Sequence, residues 1–160
     1  MELDADEIVP HLWQGSLPPT GSAVSDAGFH LLVLCAREKQ LPSVYFHDVE
    51  VFHAPNDDSV AYGPLDREKL KLALQAAQKV VATVKAGHNA LVTCAAGMNR
   101  SGLVSALTLH LLYGWSGGRC IQRVRAKRRN NDGYLPLSNT DFTTALQRLR
   151  GVESPLYSRV

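Results

Sequence analysis

The chain has 160 residues, 45% of them apolar, and its 17 basic residues nearly balance 15 acidic ones for a net charge of +2. That is the size of one domain with a sizeable core, so a single domain over 1–160 is expected. The balanced charge excludes bulk attraction to nucleic acid or membrane as the basis of function.

The amino terminus, Met1-Glu-Leu-Asp-Ala-Asp-Glu7, is acidic, and no apolar run approaches the ~20 residues that span a bilayer. Short β-like runs follow at 8–9, 12–14, 30–35, 44–46 and 49–53. The strongest helical pattern covers 65–85, where Leu70, Leu74, Ala77, Val80, Val81 and Val84 recur at three- and four-residue spacing. Pro64 and Asp66 suit its first turn and Gly87 its end. A strand at 90–93, a loop at 94–100 and a helix at 101–113 come next, with Gly114 as the stop. Two more helices are predicted at about 117–129 and 138–149, separated by the turn-rich Asn130-Asn-Asp-Gly133. Strands that precede or alternate with helices predict an α/β protein whose central sheet is flanked by helices.

Three widely spaced cysteines, Cys35, Cys94 and Cys120, fit neither a disulfide framework nor a zinc knuckle. A reduced, cytoplasmic protein is expected, with room for one reactive thiol. The six histidines are scattered, so no metal is expected and no cofactor is implied.

Cys94 stands where the strand gives way to the loop, and Arg100 where the helix begins. The loop's N–H groups then lie at the positive end of a helix dipole, a favourable seat for an anion. Ala95, Ala96 and Gly97 leave little side chain in the way of a tight curve. The thiolate, the nucleophilic form, is stabilised in such a field, and an arginine can clamp two phosphate oxygens through parallel hydrogen bonds.

Cys94-x5-Arg100-Ser101 resembles the signature loop of the protein tyrosine phosphatases, and the rest of the chain resembles their small, atypical dual-specificity branch. Glu7-Ile-Val-Pro-His-Leu-Trp-Gln-Gly-Ser16 is similar to that branch's opening segment, and Ser138-Asn-Thr-Asp-Phe142 to its closing one. The resemblance covers about residues 7–149. It implies a mixed, mostly parallel sheet with the phosphate-binding loop between a strand and a helix. It also implies a phosphatase acting through a cysteinyl-phosphate.

By the same resemblance Cys94 is the nucleophile. Ala95, Ala96, Gly97, Met98, Asn99 and Arg100 bind the phosphate, and Ser101 stabilises the departing thiolate. Asn56-Asp-Asp-Ser59 holds the position of the family's acid, with Asp57 expected in that role and Asp58 in reserve. Thr93 replaces the histidine that usually precedes the nucleophile, and could supply only part of that residue's network. Cys35, in Leu31-Leu-Val-Leu-Cys-Ala-Arg-Glu38, resembles a cysteine of the phosphatase-and-tensin branch that pairs with the nucleophile, which implies a redox partner.

The loop has no lysine, which disfavours polyphosphorylated lipid heads and points to phosphotyrosine, with phosphoserine or phosphothreonine as further options. The expected partner is a phosphorylated protein or peptide, met by a monomer, with no membrane and nucleic acid only a minor option. Arg119, Arg123, Arg125, Lys127, Arg128 and Arg129 form a basic run that reads as a solvated helix face or a docking strip for acidic substrates. Competing readings are a phosphate-binding module with weak turnover, a rhodanese-like sulfurtransferase and an RNA 5′-phosphatase of the same fold.

Overall fold

The computed structural model describes residues 3–129 and 133–152. Five strands, β1 (Ala5–Val9), β2 (Leu12–Gly15), β3 (Phe29–Ala36), β4 (Glu50–Asn56) and β5 (Asn89–Thr93), form one sheet in the order β1-β2-β5-β3-β4. The β1–β2 pair is antiparallel and every other pair is parallel, so the sheet is mixed and mostly parallel as expected.

The helices are α1 (Ala23–Asp26), α2 (Arg67–Lys85), α3 (Arg100–Tyr113), α4 (Gly117–Lys127) and α5 (Thr140–Gln147). Asp66 caps α2, its carboxylate accepting from the N–H groups of Glu68 and Lys69. Gly87 just beyond the helix has φ +81°, a conformation with little penalty only for glycine. The run at 44–46 is not a strand: Ser43–Tyr45 closes into a 3₁₀ turn, with the Tyr45 and Phe46 N–H groups bonded to Pro42 and Ser43. Its β-branched and aromatic residues carried a strand signal, but pairing stops at one parallel bridge between Phe46 and Gly21. The turn expected at 130–133 lies, apart from Gly133, outside the described residues.

Strand β3 is apolar almost throughout because both faces of the sheet are covered there. Leu31, Val33 and Cys35 face the main core with α2, α3 and α4, while Leu32 and Leu34 face a smaller cluster with Val24, Phe29 and Phe46. Helix α3 lies at the centre, with eleven of its fourteen residues buried. Because α3 is walled in, its first turn and the loop feeding it have one position relative to β5. No helix among the described residues is long and apolar enough to cross a membrane.

Candidate active site

Strand β5 ends at Thr93, and the chain curves through 94–99 into the first turn of α3. Cys94 is anchored by its N–H to Gly15 O at 3.3 Å, which ties the loop to the end of β2. Its Sγ lies 3.2 Å from Ser101 Oγ, and both residues are buried. None of the N–H groups from Ala95 to Arg100 has an acceptor among the described residues. Six donors at the start of a fourteen-residue helix can therefore serve an anion above the sulfur.

The outward side of the loop is held in detail. Gln14 Nε2 donates to Gly97 O at 2.9 Å, Arg128 Nε to the same oxygen at 2.9 Å, and Arg128 Nη2 to Ala96 O at 3.2 Å. Leu137, at φ +57°, gives its N–H to Met98 O at 3.2 Å. Gly97 itself has φ +72°, and a Cβ there would stand 2.5 Å from Gly15 C and 2.6 Å from Arg128 Nη2. Only glycine fits this turn of the loop.

Arg100 is almost wholly buried and meets the exposed carboxylate of Glu38, just beyond β3. Nη1 and Nη2 donate to the two Glu38 oxygens at 2.7 and 2.8 Å, and Nη1 also donates to Asn56 O at 3.0 Å. Nε is buried with no partner. One edge of the guanidinium is thus fixed by the protein, and the edge that includes Nε remains for a ligand. The arginine holds Glu38 down at about pKa 2, with a smaller contribution from Glu38's own backbone.

The two aspartates diverge. Asp57 Oδ2 accepts from Arg37 at 2.7 Å and lies 3.7 Å from Lys69 Nζ, and Asp57 does not line the cavity over Cys94. Asp58 does line that cavity. Its Oδ2 accepts from Asn99 Nδ2 at 3.0 Å and its Oδ1 from Asn139 Nδ2 at 2.9 Å. Asn99 Oδ1 in turn accepts from the Asn139 N–H at 3.0 Å, so one asparagine of the loop joins the acidic segment to the start of α5. Asn139 also caps α5 through Oδ1.

Thr93 is fully buried, and its hydroxyl donates to Val33 O at 2.8 Å on the neighbouring strand. It is satisfied within the sheet, and among the described residues its hydroxyl makes no hydrogen bond to a loop carbonyl. Cys35 and Cys94 directly follow the paired residues Leu34 and Thr93 of β3 and β5, and both lie in the main core. Burial pushes the Cys35 thiol well up, and the charge of Cys94 adds to that shift while Arg100 opposes it. Burial likewise pushes Cys120 up to about 12.

The basic run does not form one strip. Arg119 and Arg123 stack on Trp115 at 4.0 and 4.8 Å, Arg125 donates to Pro136 O and Leu137 O, and Arg128 is buried behind the loop. Glu38, Gln14, Arg128 and Asn139 are the site's partners that sequence reasoning did not identify. All four stand in segments singled out above, but only the side-chain contacts show their place in the site.

The cavity over Cys94 has a volume of about 600 Å³, with Arg129, Tyr134 and Leu135 on its walls. A larger one of about 970 Å³ lies on the opposite face between α1, Trp13 and Phe29, and its lining includes no cysteine and no arginine. Among the described residues no cluster of side chains could hold a metal ion.

No protein-family model matches the sequence, and no curated protein matches it either. Solved structures match it over nearly its whole length. A mouse dual specificity phosphatase complexed with zinc tungstate is 24% identical with a TM-score of 0.74, covering 94% of this chain and 88% of its own. Human DUSP28 is 24% identical with a TM-score of 0.73, covering 94% and 95%. Tk-PTP in its active form is 23% identical with a TM-score of 0.70, covering 93% and 97%. The chain has the fold of the small dual-specificity phosphatases.

Proposed function

We propose that the protein is a cysteine-dependent phosphatase that cleaves phosphate monoesters of protein side chains, phosphotyrosine foremost and phosphoserine or phosphothreonine beside it. The carrying observation is the arrangement around Cys94: a buried sulfur 3.2 Å from a hydroxyl, beneath six N–H groups without acceptors and next to an arginine whose Nε is unpartnered. Such a set binds three equatorial oxygens while leaving sulfur in line with the fourth.

Cys94 Sγ attacks phosphorus as the bond to the leaving oxygen breaks, and that oxygen takes a proton from the acid. Asp58 is that acid in this reading, because it faces the cavity whereas Asp57 is engaged by Arg37 and Lys69. Water then attacks the cysteinyl-phosphate, giving its proton to Asp58, and the sulfur leaves as a thiolate that accepts a hydrogen bond from Ser101. No residue of the loop is cationic before Arg100, which suits a single phosphate better than a polyphosphorylated head. The exposed Tyr134 and Leu135 offer apolar contact to a peptide beside it.

Hydrolysis of para-nitrophenyl phosphate and of a phosphopeptide panel tests the reading. Wild type should turn over and Cys94→Ser should not. A Cys94→Ser protein as fast as wild type would falsify the mechanism.

A further inference from the structure

An anion cradle has its N–H groups turned inward, so its carbonyls face the protein behind it, where each needs a donor. Here Arg128 reaches two successive carbonyls, sharing Gly97 O with Gln14 and alone serving Ala96 O, and it is a residue of the basic run for which the phosphatase reading has no other use. Its guanidinium carries five N–H groups, and five acceptors meet them. Nε serves Gly97 O and Nη2 serves Ala96 O, while Asp4 Oδ2, Asp4 Oδ1 and Asp6 Oδ2 take the rest at 2.8, 2.9 and 3.0 Å.

The side chain is 2% exposed, and two carboxylates stand against its single charge. Arg128 therefore has neither a free donor nor a surplus charge for a substrate. Its planar fork reaches acceptors on opposite sides at once, which a lysine with three tetrahedral donors could not do.

We propose that Arg128 is a positioning residue of the phosphate loop, held in place by Asp4 and Asp6, so that the acidic segment opening the first strand sets the orientation of the anion-binding amides. This rests on the phosphatase reading for its meaning in catalysis, but the positioning of an oxyanion site does not require turnover. The loss of Arg128 would leave Ala96 O without a donor and Gly97 O with Gln14 alone, and let their peptide planes rotate. The N–H groups of the following residues would then turn away from the anion.

The test compares wild type, Arg128→Lys and the double variant Asp4→Asn/Asp6→Asn. Inorganic tungstate, a tetrahedral oxyanion, is titrated by calorimetry, kcat and KM are measured on para-nitrophenyl phosphate, and thermal melts report folding. We expect Arg128→Lys to lower both tungstate affinity and kcat by about 10- to 100-fold, the range typical when groups that orient contacting ligands are removed. The double variant should move both in the same direction by less.

Wild-type tungstate affinity and kcat in folded Arg128→Lys would overturn the proposal. So would a lowered melting temperature with both quantities unchanged per folded molecule, since that pattern belongs to a purely structural residue. If Arg128→Lys does not fold, the double variant decides, and unchanged values there overturn the proposal. A wild type that binds tungstate but hydrolyses nothing would count against the phosphatase reading alone, and the tungstate affinities would still decide the role of Arg128.

Discussion

Glu38 and Arg100 meet edge to edge, the two terminal nitrogens of the guanidinium donating to the two carboxylate oxygens at 2.7 and 2.8 Å. The contact fixes the rotation of the arginine and leaves Nε facing inward without a partner. Glu38→Ala should raise KM for a small aryl phosphate by about tenfold, with a smaller fall in kcat, because a two-pronged charge-assisted pair no longer orients the clamp. Steady-state kinetics at fixed ionic strength checks this, and an unchanged KM would remove Glu38 from the site.

The same pair has a pH signature. Glu38 lies at about 2 when folded, below its ordinary value of 4.5, because Arg100 favours its charged form. A depressed carboxyl contributes stability that is present above its unfolded pKa and is lost as pH falls through the folded one. The contribution from this pair should therefore hold above pH 4.5 and fade between 4.5 and about 2. Thermal melts of wild type and Glu38→Gln should converge across that window; curves that stay parallel down to pH 2 would contradict the pairing.

Asp58 and Asp57 separate by position. Loss of a proton donor costs about 10²–10⁴-fold. Asp58→Asn should show a fall of that size on substrates with poor leaving groups and a smaller one on para-nitrophenyl phosphate. Asp57→Asn should change kcat far less, since its carboxylate serves Arg37 and Lys69. The reverse ranking would return the acid to Asp57.

Gly97→Ala combines a left-handed backbone with a Cβ placed against Gly15 and Arg128. The conformational penalty alone is ~1–2 kcal/mol, and the clash adds to it. We expect a lowered melting temperature together with a large loss of tungstate affinity. A stable, tungstate-binding Gly97→Ala protein would mean that the loop tolerates another path.

Cys35 follows the residue paired with the one before Cys94, on the same buried face. Under peroxide, Cys94 thiolate is oxidised to the sulfenic acid, and attack by the Cys35 sulfur forms the disulfide with loss of water. Burial keeps Cys35 largely protonated, so the second step should be slower than the first. Peptide mass spectrometry should find the Cys35–Cys94 link in wild type, with activity restored by a thiol reductant. Its absence, with Cys94 over-oxidised instead, would exclude the pairing.

Sequence periodicity reached the architecture because each long element has one clear signal: the three–four spacing of α2, the continuous apolar run of β3, the cysteine loop between β5 and α3. Residues 44–46 misled, since β-branched and aromatic residues suit a strand only where pairing extends, and here it stops at one bridge from Phe46 to Gly21. The loop residues of the site, from Cys94 to Ser101, are contiguous and stand out in the sequence as a unit. Their supports do not: Gln14 and Arg128 reach Gly97 across 83 and 31 residues, and Glu38 reaches Arg100 across 62. No local pattern marks a side chain whose partner is a distant backbone carbonyl. Arg128 was hidden further by standing in a run of exposed-looking cations, and the divergence of Asp57 from Asp58 depended on Arg37 and Asn139, which no spacing rule connects.

Asn99 binds the capping residue of α5, and Arg128 binds Asp4, just before β1, and Asp6 within it. The cysteine loop is thus suspended between the segment that opens β1 and the start of α5. An amino-terminal fragment that stops before Asn139 lacks one suspension, and a carboxy-terminal fragment that starts after Asp6 lacks the other. During synthesis from the amino terminus, the thiol would emerge well before the contacts that organise its surroundings. The nascent chain would carry the reactive atom, but the complete site would close only once the segment through the start of α5 has been made.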